Sequence, residues 1–249
     1  MAPQEEPLAG GNASGPVVRI GETVRKPSTP TTGRVAALLD RLHAAGIDVP
    51  RHRGRDGYGR QVLEYVPGCV AQELLPLEPQ LLTRVGRLIR AIHDASPAYD
   101  RVDGDWETLI PASAPDLICH NDLAPWNLVV GDGRLVFIDW DGAGPSTRLW
   151  DLAYAAQTFT LNDPARDAVL AAADLRALVD GYGADPAIRT ALPDAMAERT
   201  DAMRRLLLDG AANGHEPWAS MHRAGHGAHW EAATAYVTWH HDVWSAALA

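Results

Sequence analysis

The stretch LICHNDLAPWNLVV, residues 117–130, decides the fold of this chain. It sets three polar side chains, His120, Asp122 and Asn127, among apolar residues that are typical of buried strands. A buried polar group without a partner costs free energy, so a chain rarely places three of them beside a buried strand without use. We therefore expect this stretch to position a functional site.

A hairpin is predicted directly after Asn127. Two short apolar runs, LVV and RLVFI, flank the turn GDG, and Asp139 follows the second run. A Gly-rich turn between two apolar runs is a strong hairpin signal. With Asp132 at the turn centre, pairing sets Asn127 opposite Phe137 and Asp139 opposite Pro125. The sequence thus predicts that Asn127 and Asp139 meet at the open end of the hairpin.

The predicted convergence brings Asp122, Asn127 and Asp139 together from a loop, a strand start and a strand end. One amide and two carboxylates suit a hard cation such as Mg²⁺, which takes oxygen ligands and commonly keeps substrate phosphates in its shell. The order of the residues is that of the kinase signature, a His-x-Asp loop with Asn five residues after the Asp and a further Asp after one hairpin.

On these residues the segment HNDLAPWNLVV…FIDWDGAGPSTRLWDLA, within 120–154, resembles the aminoglycoside phosphotransferase and choline kinase-like family. The resemblance implies an α+β, two-lobed protein-kinase-like fold. Its small N-lobe of strands and one helix would span residues 1–66, and its larger, mainly helical C-lobe would span 67–249. The implied activity is ATP-dependent transfer of the γ-phosphoryl group to a hydroxyl of a small molecule.

The resemblance also implies roles for the matched positions. Asp122 would be the base that accepts the proton of the acceptor hydroxyl, and His120 would brace its loop. Asn127 and Asp139 would hold Mg²⁺ on the phosphates of ATP. Phosphoryl transfer needs mainly positioning and charge neutralisation, so few side chains suffice.

Two further carboxylates follow the hairpin. Asp151, in LWDLA, would anchor the catalytic loop from the start of the next helix. Asp141 could touch a second metal or a water, but the expectation is a turn carboxylate that faces solvent.

In the N-lobe the resemblance suggests GGNASG, with Gly10, Gly11 and Asn12, as a degenerate phosphate loop, although an ordinary flexible terminus explains it equally well. The following strand, VRKP, carries two cations that compete for the nucleotide phosphates. Arg25 and Lys26 point to opposite faces of a strand, so only one of them can meet the nucleotide. Motif placement slightly favours Arg25.

The hinge between the lobes is expected in VLEYVPG, where backbone groups from Glu64 to Val66 would bind a purine. Helices are predicted over 31–45 and 77–96 from their apolar spacing. The first of these helices contains no Glu and only Asp40, which departs from the cation–Glu ion pair of protein kinases.

Composition restricts the partners. The formal charge of −10 argues against a nucleic-acid ligand, and it suits either a cationic, amine-bearing acceptor or simple solubility. No apolar run approaches a membrane span, so a soluble cytoplasmic protein without membrane partners is expected. Cys69 and Cys119 show no metal or disulfide spacing, and both are predicted to be reduced.

Three rival functions remain open. A protein kinase would need a longer segment than the one between Asp139 and Asp151. A metal hydrolase could use His120, Asp122, Asp139 and Asp141 as ligands but leaves Asn127 unexplained. A non-catalytic nucleotide-binding pseudokinase would fit the short N-lobe and the missing Glu.

The C-terminal histidines invite a separate metal hypothesis. His222, His226 and His229 fall at helical offsets that would set them on one face. Gly225 and Gly227 weaken a helix at this point, so the prediction is for surface or core-edge histidines rather than a zinc site.

Overall fold

A computed structural model of the chain describes residues 4–8, 15–99 and 105–249. The predicted phosphate-loop residues Gly10, Gly11 and Asn12 lie outside the described residues.

The chain begins with a five-stranded antiparallel sheet, in the order β1-β2-β3-β5-β4. Its strands are β1 (Glu6–Pro7), β2 (Val18–Ile20), β3 (Thr23–Lys26), β4 (His52–Arg55) and β5 (Gln61–Glu64). The predicted first helix, α1 (Thr32–Ala44), connects β3 to β4 and buries one apolar face. Because side chains alternate along a strand, β3 sends Val24 and Lys26 to one face of the sheet and Arg25 to the other.

The predicted hairpin is present, as β8 (Leu128–Gly131) and β9 (Arg134–Phe137). Its register differs by one residue from the prediction, because Phe137 pairs with Leu128 and the Ile138 amide donates to the Asn127 carbonyl at 2.8 Å. The turn is a two-residue Asp132–Gly133 turn with both φ angles positive, 48° and 76°. Its centre therefore lies between these residues rather than on Asp132, which shifts the pairing.

Two short strand pairs complete the framework of the hairpin. Strand β6 (Cys69–Val70) pairs with β8, and β7 (Leu117–Cys119) pairs with β10 (Gly144–Ser146). The pairing of β7 with β10 therefore holds together the two ends of the segment 120–143. Cys119 is a buried free thiol and Cys69 a half-buried one.

The remainder is mainly helical, so the predicted α+β class is confirmed. The helices are α2 (Pro79–Ala95), α3 (Arg148–Thr160), α4 (Ala168–Tyr182), α5 (Pro186–Asn213), α6 (Trp218–Met221), α7 (Gly227–Trp239) and α8 (His241–Leu248). Helix α2 lies within the predicted range and packs against α4 through glycines. A Cβ added at Gly86 would lie 2.1 Å from the Leu178 carbonyl oxygen, so only glycine permits this approach. Among the described residues, no helix has the length and hydropathy to cross a membrane.

Candidate active site

Lys26 reaches from the sheet to the segment that follows the hairpin. Its Nζ lies 2.7 Å from Asp139 Oδ1 and 2.8 Å from Asp141 Oδ2. Gln61, buried on the neighbouring strand, donates to Asp141 at 3.3 Å. Burial alone would lower the pKa of Lys26, but the two carboxylates outweigh it and hold the pKa above its ordinary value. Lys26 is therefore a cation in the cleft between sheet and hairpin.

Arg25 lies on the opposite face of β3. Its Nε is 3.6 Å from Asp56 Oδ2, and it does not line the cleft. The strand therefore turns Lys26 towards the hairpin, although motif placement slightly favoured Arg25. The expectation that Asp141 faces solvent is wrong, because its side chain is only 18% exposed and is bound by Lys26.

Asp122 lies at the bottom of the same cleft. Its Oδ2 accepts a hydrogen bond of 2.7 Å from Asn127 Nδ2, which also donates to the Asp122 carbonyl at 3.0 Å. Burial raises the pKa of Asp122, while His120 and Asn127 oppose the shift. Since the Asn127 nitrogen is occupied, its amide oxygen is the atom that it can offer to a cation.

His120 is fully buried beneath the loop and does not line the cleft. Its Nδ1 accepts from the Asp122 amide at 3.2 Å, so its Nε2 donates to the Ile138 carbonyl at 3.1 Å. The ring also packs against Trp140, with ring centroids 4.5 Å apart. His120 thus joins the Asp122 loop to the end of the hairpin and makes no contact suited to direct chemistry.

Asp151 makes the predicted anchor contact from the first turn of α3. Its Oδ1 accepts from the Asn121 amide at 2.8 Å, and its Oδ2 lies 3.0 Å from His93 Nε2. The Tyr182 hydroxyl completes this buried chain at 2.9 Å from His93 Nδ1. Asn121 has φ 65°, a left-handed conformation, which the anchor holds in place.

His93, Asp151 and Cys119 form a group with metal-ligand composition. Both ring nitrogens of His93 are already hydrogen-bonded, so the cluster is explained as structural support. No such group involves His222, His226 or His229 within the described ranges. Gly225, with φ 102°, interrupts the helix between them, in agreement with the expectation from the two glycines.

One cleft, with a volume of about 1440 Å³, contains these groups. Its inner end is lined by the underside of the sheet and by the segment from Glu64 to Val66, the predicted hinge. Its outer end lies between loop 120–127 and the C-terminal helices. The predicted residues Lys26, Asn127 and Asp139 thus share one cavity with Asp122.

The outer end of the cleft contains residues that belong to no recognisable sequence motif. Tyr154 stacks on Trp230 with ring centroids 6.1 Å apart, and Trp126 meets Tyr154 edge-on. The guanidinium of Arg199, only 5% exposed, lies 4.2 Å from the centre of the Tyr154 ring. Arg199 Nη2 also donates to the Asn121 carbonyl at 3.2 Å.

Comparison with known proteins supports the motif. Residues 98–198 match the model of a phosphotransferase enzyme family. The predicted family resemblance is confirmed. The matched range of this phosphotransferase family includes loop 120–127, the hairpin and Asp151, but it leaves out the sheet with Lys26 and the helices α6 and α7.

A curated relative is the protein LicA of Haemophilus influenzae, which is 42% identical over 52 residues. The match spans 21% of this chain and only about a fifth, 20%, of LicA.

Among solved structures, a choline/ethanolamine kinase family protein from Mesorhizobium loti has a TM-score of 0.68 at 20% identity, with 99% of this chain and 92% of that chain covered. A spectinomycin phosphotransferase in complex with ADP and spectinomycin has a TM-score of 0.68 at 12% identity, with 96% and 93% covered. The protein has the protein-kinase-like fold.

Proposed function

We propose that this protein is an ATP-dependent phosphotransferase that moves the γ-phosphoryl group to a hydroxyl of a small molecule. The observation that carries the proposal is the convergence of Lys26, Asp122, Asn127 and Asp139 in one cleft, from segments that are up to 113 residues apart. Residues this far apart along the chain do not come together merely because they are neighbours in sequence.

The residues fit a magnesium ion. The Asp139 carboxylate and the Asn127 amide oxygen are hard donors, and Asp141 supplies a third oxygen beside them. When bound, Mg²⁺ would neutralise the charge that develops on the nucleotide phosphates. A site with two carboxylates and one lysine has a formal charge of −1, which favours a divalent cation.

Lys26 is the cation that is suited to the nucleotide phosphates. A buried ammonium on the underside of the sheet can bind phosphate oxygens as a point charge. In the structure its partners are Asp139 and Asp141, not a helix glutamate, and this accounts for the absence of Glu from α1.

Asp122 is suited to bind and deprotonate the acceptor hydroxyl. Its Oδ2 is fixed by Asn127, and the Tyr154 hydroxyl lies within hydrogen-bonding reach of the same carboxylate. Its raised pKa brings its basicity closer to that of a working general base. Two hydrogen bonds hold the loop so that the carboxylate keeps its orientation: His120 accepts from the Asp122 amide, and Asp151 accepts from the Asn121 amide.

The test is magnesium-dependent ADP release with a panel of hydroxyl compounds, together with mass spectrometry of the products. Asp122→Asn should lower the rate by about 10² to 10⁴ while ATP binding persists, since only the base is removed. Nucleotide binding without turnover for any acceptor would instead support the pseudokinase. Hydrolysis of phosphate esters without a need for ATP would support the hydrolase.

A further inference from the structure

The outer end of the cleft is an apolar, aromatic wall, here called the acceptor wall. It faces Asp122 from helices α3, α5, α6 and α7 and from loop 120–127. The side chains that line it are Trp126, Tyr154, Met203, Trp218, Met221 and Trp230. Trp126, Trp218 and Met221 are only partly buried, so the wall offers contact area to apolar surface and flat rings, while His226, His229 and Asn162 also line the cleft.

Carboxylates are scarce at the acceptor wall although the chain as a whole is acidic. Among the described residues, no Asp or Glu between 186 and 249 lines the cleft. Several of them are paired elsewhere on the surface, as Asp194 is with His241 and Asp201 with Arg204. In the cleft, Asp139 and Asp141 are bound by Lys26, Asp122 is the proposed base, and Glu64 lies at the hinge. The remaining lining carboxylate is Glu107, which is exposed on the loop before β7.

Two fixed charges adjoin the acceptor wall, the Asp122 carboxylate and the Arg199 guanidinium, and only the carboxylate has a proposed role in the reaction. Arg199 has no carboxylate partner within the described part of the chain, and its Nη1 is buried without a hydrogen bond. It interacts instead with the π face of Tyr154 and the Asn121 carbonyl. The buried guanidinium attracts the Asp122 carboxylate, but it repels an ammonium group of an acceptor that binds beside it. The expectation of a cationic acceptor, which rested on the net charge, therefore finds no support at this wall.

We propose, resting on the phosphotransferase function proposed above, that the acceptor is an uncharged hydroxyl compound with an apolar or aromatic body, and not a polyamine. The hydroxyl binds at Asp122, the apolar body packs against the acceptor wall, and Arg199 opposes amine-bearing competitors. Aromatic faces can also bind a quaternary ammonium ion, but one face of Tyr154 is already occupied by Arg199.

The test compares three groups of acceptors at equal concentration with the wild-type protein. They are aromatic alcohols and macrocyclic lactone alcohols that lack an amine, aminoglycosides, and choline with ethanolamine. We expect the highest kcat/KM within the first group, by about tenfold or more over the other two. A highest kcat/KM for aminoglycosides or for choline would overturn the inference and leave the phosphotransferase function intact. Absence of any phosphorylated product would overturn both.

A charge placed on the acceptor wall provides an independent measurement. Met221→Glu should lower kcat/KM for the best uncharged acceptor by about tenfold, since the new carboxylate must be buried when the acceptor binds. The matched control is Leu208→Glu, on an exposed face of α5 outside the cleft, which should leave kcat/KM unchanged. Equal KM values for ATP in both variants would show that the nucleotide end is intact. Unchanged acceptor kinetics in Met221→Glu would contradict the assignment of the wall.

Discussion

Replacement of Lys26 by Met tests how the cleft is held together. The Lys26 side chain is 6% exposed and bridges Asp139 and Asp141 at 2.7 and 2.8 Å. Methionine keeps most of the apolar stem but removes the charge, so two neighbouring carboxylates lose their common partner. They then repel each other in a partly buried site.

The loss of stability can be estimated from the burial of the three groups. Removal of one partner from a fully buried ion pair costs about 3–5 kcal/mol, because the remaining charge is left uncompensated. Asp139 is 31% exposed and Asp141 18%, so water compensates part of this cost. We expect Lys26→Met to lower the free energy of unfolding by about 2–3 kcal/mol. For a chain of this length this corresponds to a decrease in Tm of roughly 5–10 °C.

The matched control is Arg25→Met on the same strand. Arg25 lies 3.6 Å from Asp56, which Arg60 also binds at 2.8 Å, so the control should cost less than about 1 kcal/mol. Urea unfolding followed by circular dichroism measures both variants, and KM for ATP should rise only in Lys26→Met. Added Mg²⁺ should restore part of the stability of Lys26→Met, because it replaces the lost positive charge. If Arg25→Met is as unstable as Lys26→Met and equally impaired for ATP, the assignment of Lys26 to the cleft is refuted.

Three other perturbations probe the loop and its support. Burial raises the pKa of Asp122, so kcat/KM should fall as the pH decreases through a value above the pKa of an ordinary Asp. Because a raised pKa means that the folded state disfavours the ionised carboxylate, ionised Asp122 destabilises the fold at neutral pH. Asp122→Asn should therefore unfold at an equal or higher urea concentration than the wild-type protein. His93→Leu should lower the free energy of unfolding by roughly 1–3 kcal/mol and also lower kcat, since Asp151 loses its partner; an unchanged kcat would remove His93 from the anchor. Gly86→Ala should destabilise the contact of α2 with α4 by about 1–3 kcal/mol in a thermal melt, whereas Gly33→Ala, with open space around its Cβ, should be neutral or stabilising.

Local signals made loop 120–127 and the hairpin predictable from the sequence. An apolar run, an Asp-Gly turn and a second apolar run specify a hairpin within about ten residues, without help from the rest of the chain. The error of one residue in register arose because the turn centre falls between Asp132 and Gly133. The prediction that Asn127 and Asp139 meet was not affected by this error, because both residues remain at the same end of the hairpin.

Contacts between distant segments could not be predicted in the same way. Alternation along β3 established that Arg25 and Lys26 face opposite sides, but which side faces the cleft depends on how the sheet packs over the hairpin. The same packing brings Gln61 and Asp141 together, 80 residues apart. A usable signal was present, because Lys26 is the only lysine of a chain in which arginine supplies the other basic side chains.

The two buried cations of the cleft differ in a way that neither net charge nor motif reveals. Lys26 is bound by two carboxylates, Asp139 and Asp141, which are also the side chains that would hold the proposed magnesium ion. Arg199 contacts a ring face and a backbone carbonyl, and neither contact neutralises its charge. The first cation is therefore suited to an anionic nucleotide, and the second lies beside Asp122, whose ionised carboxylate it attracts. Under the proposed function, this guanidinium would favour the ionised base and disfavour an ammonium group, so an active Asp122 and an uncharged acceptor would depend on the same charge.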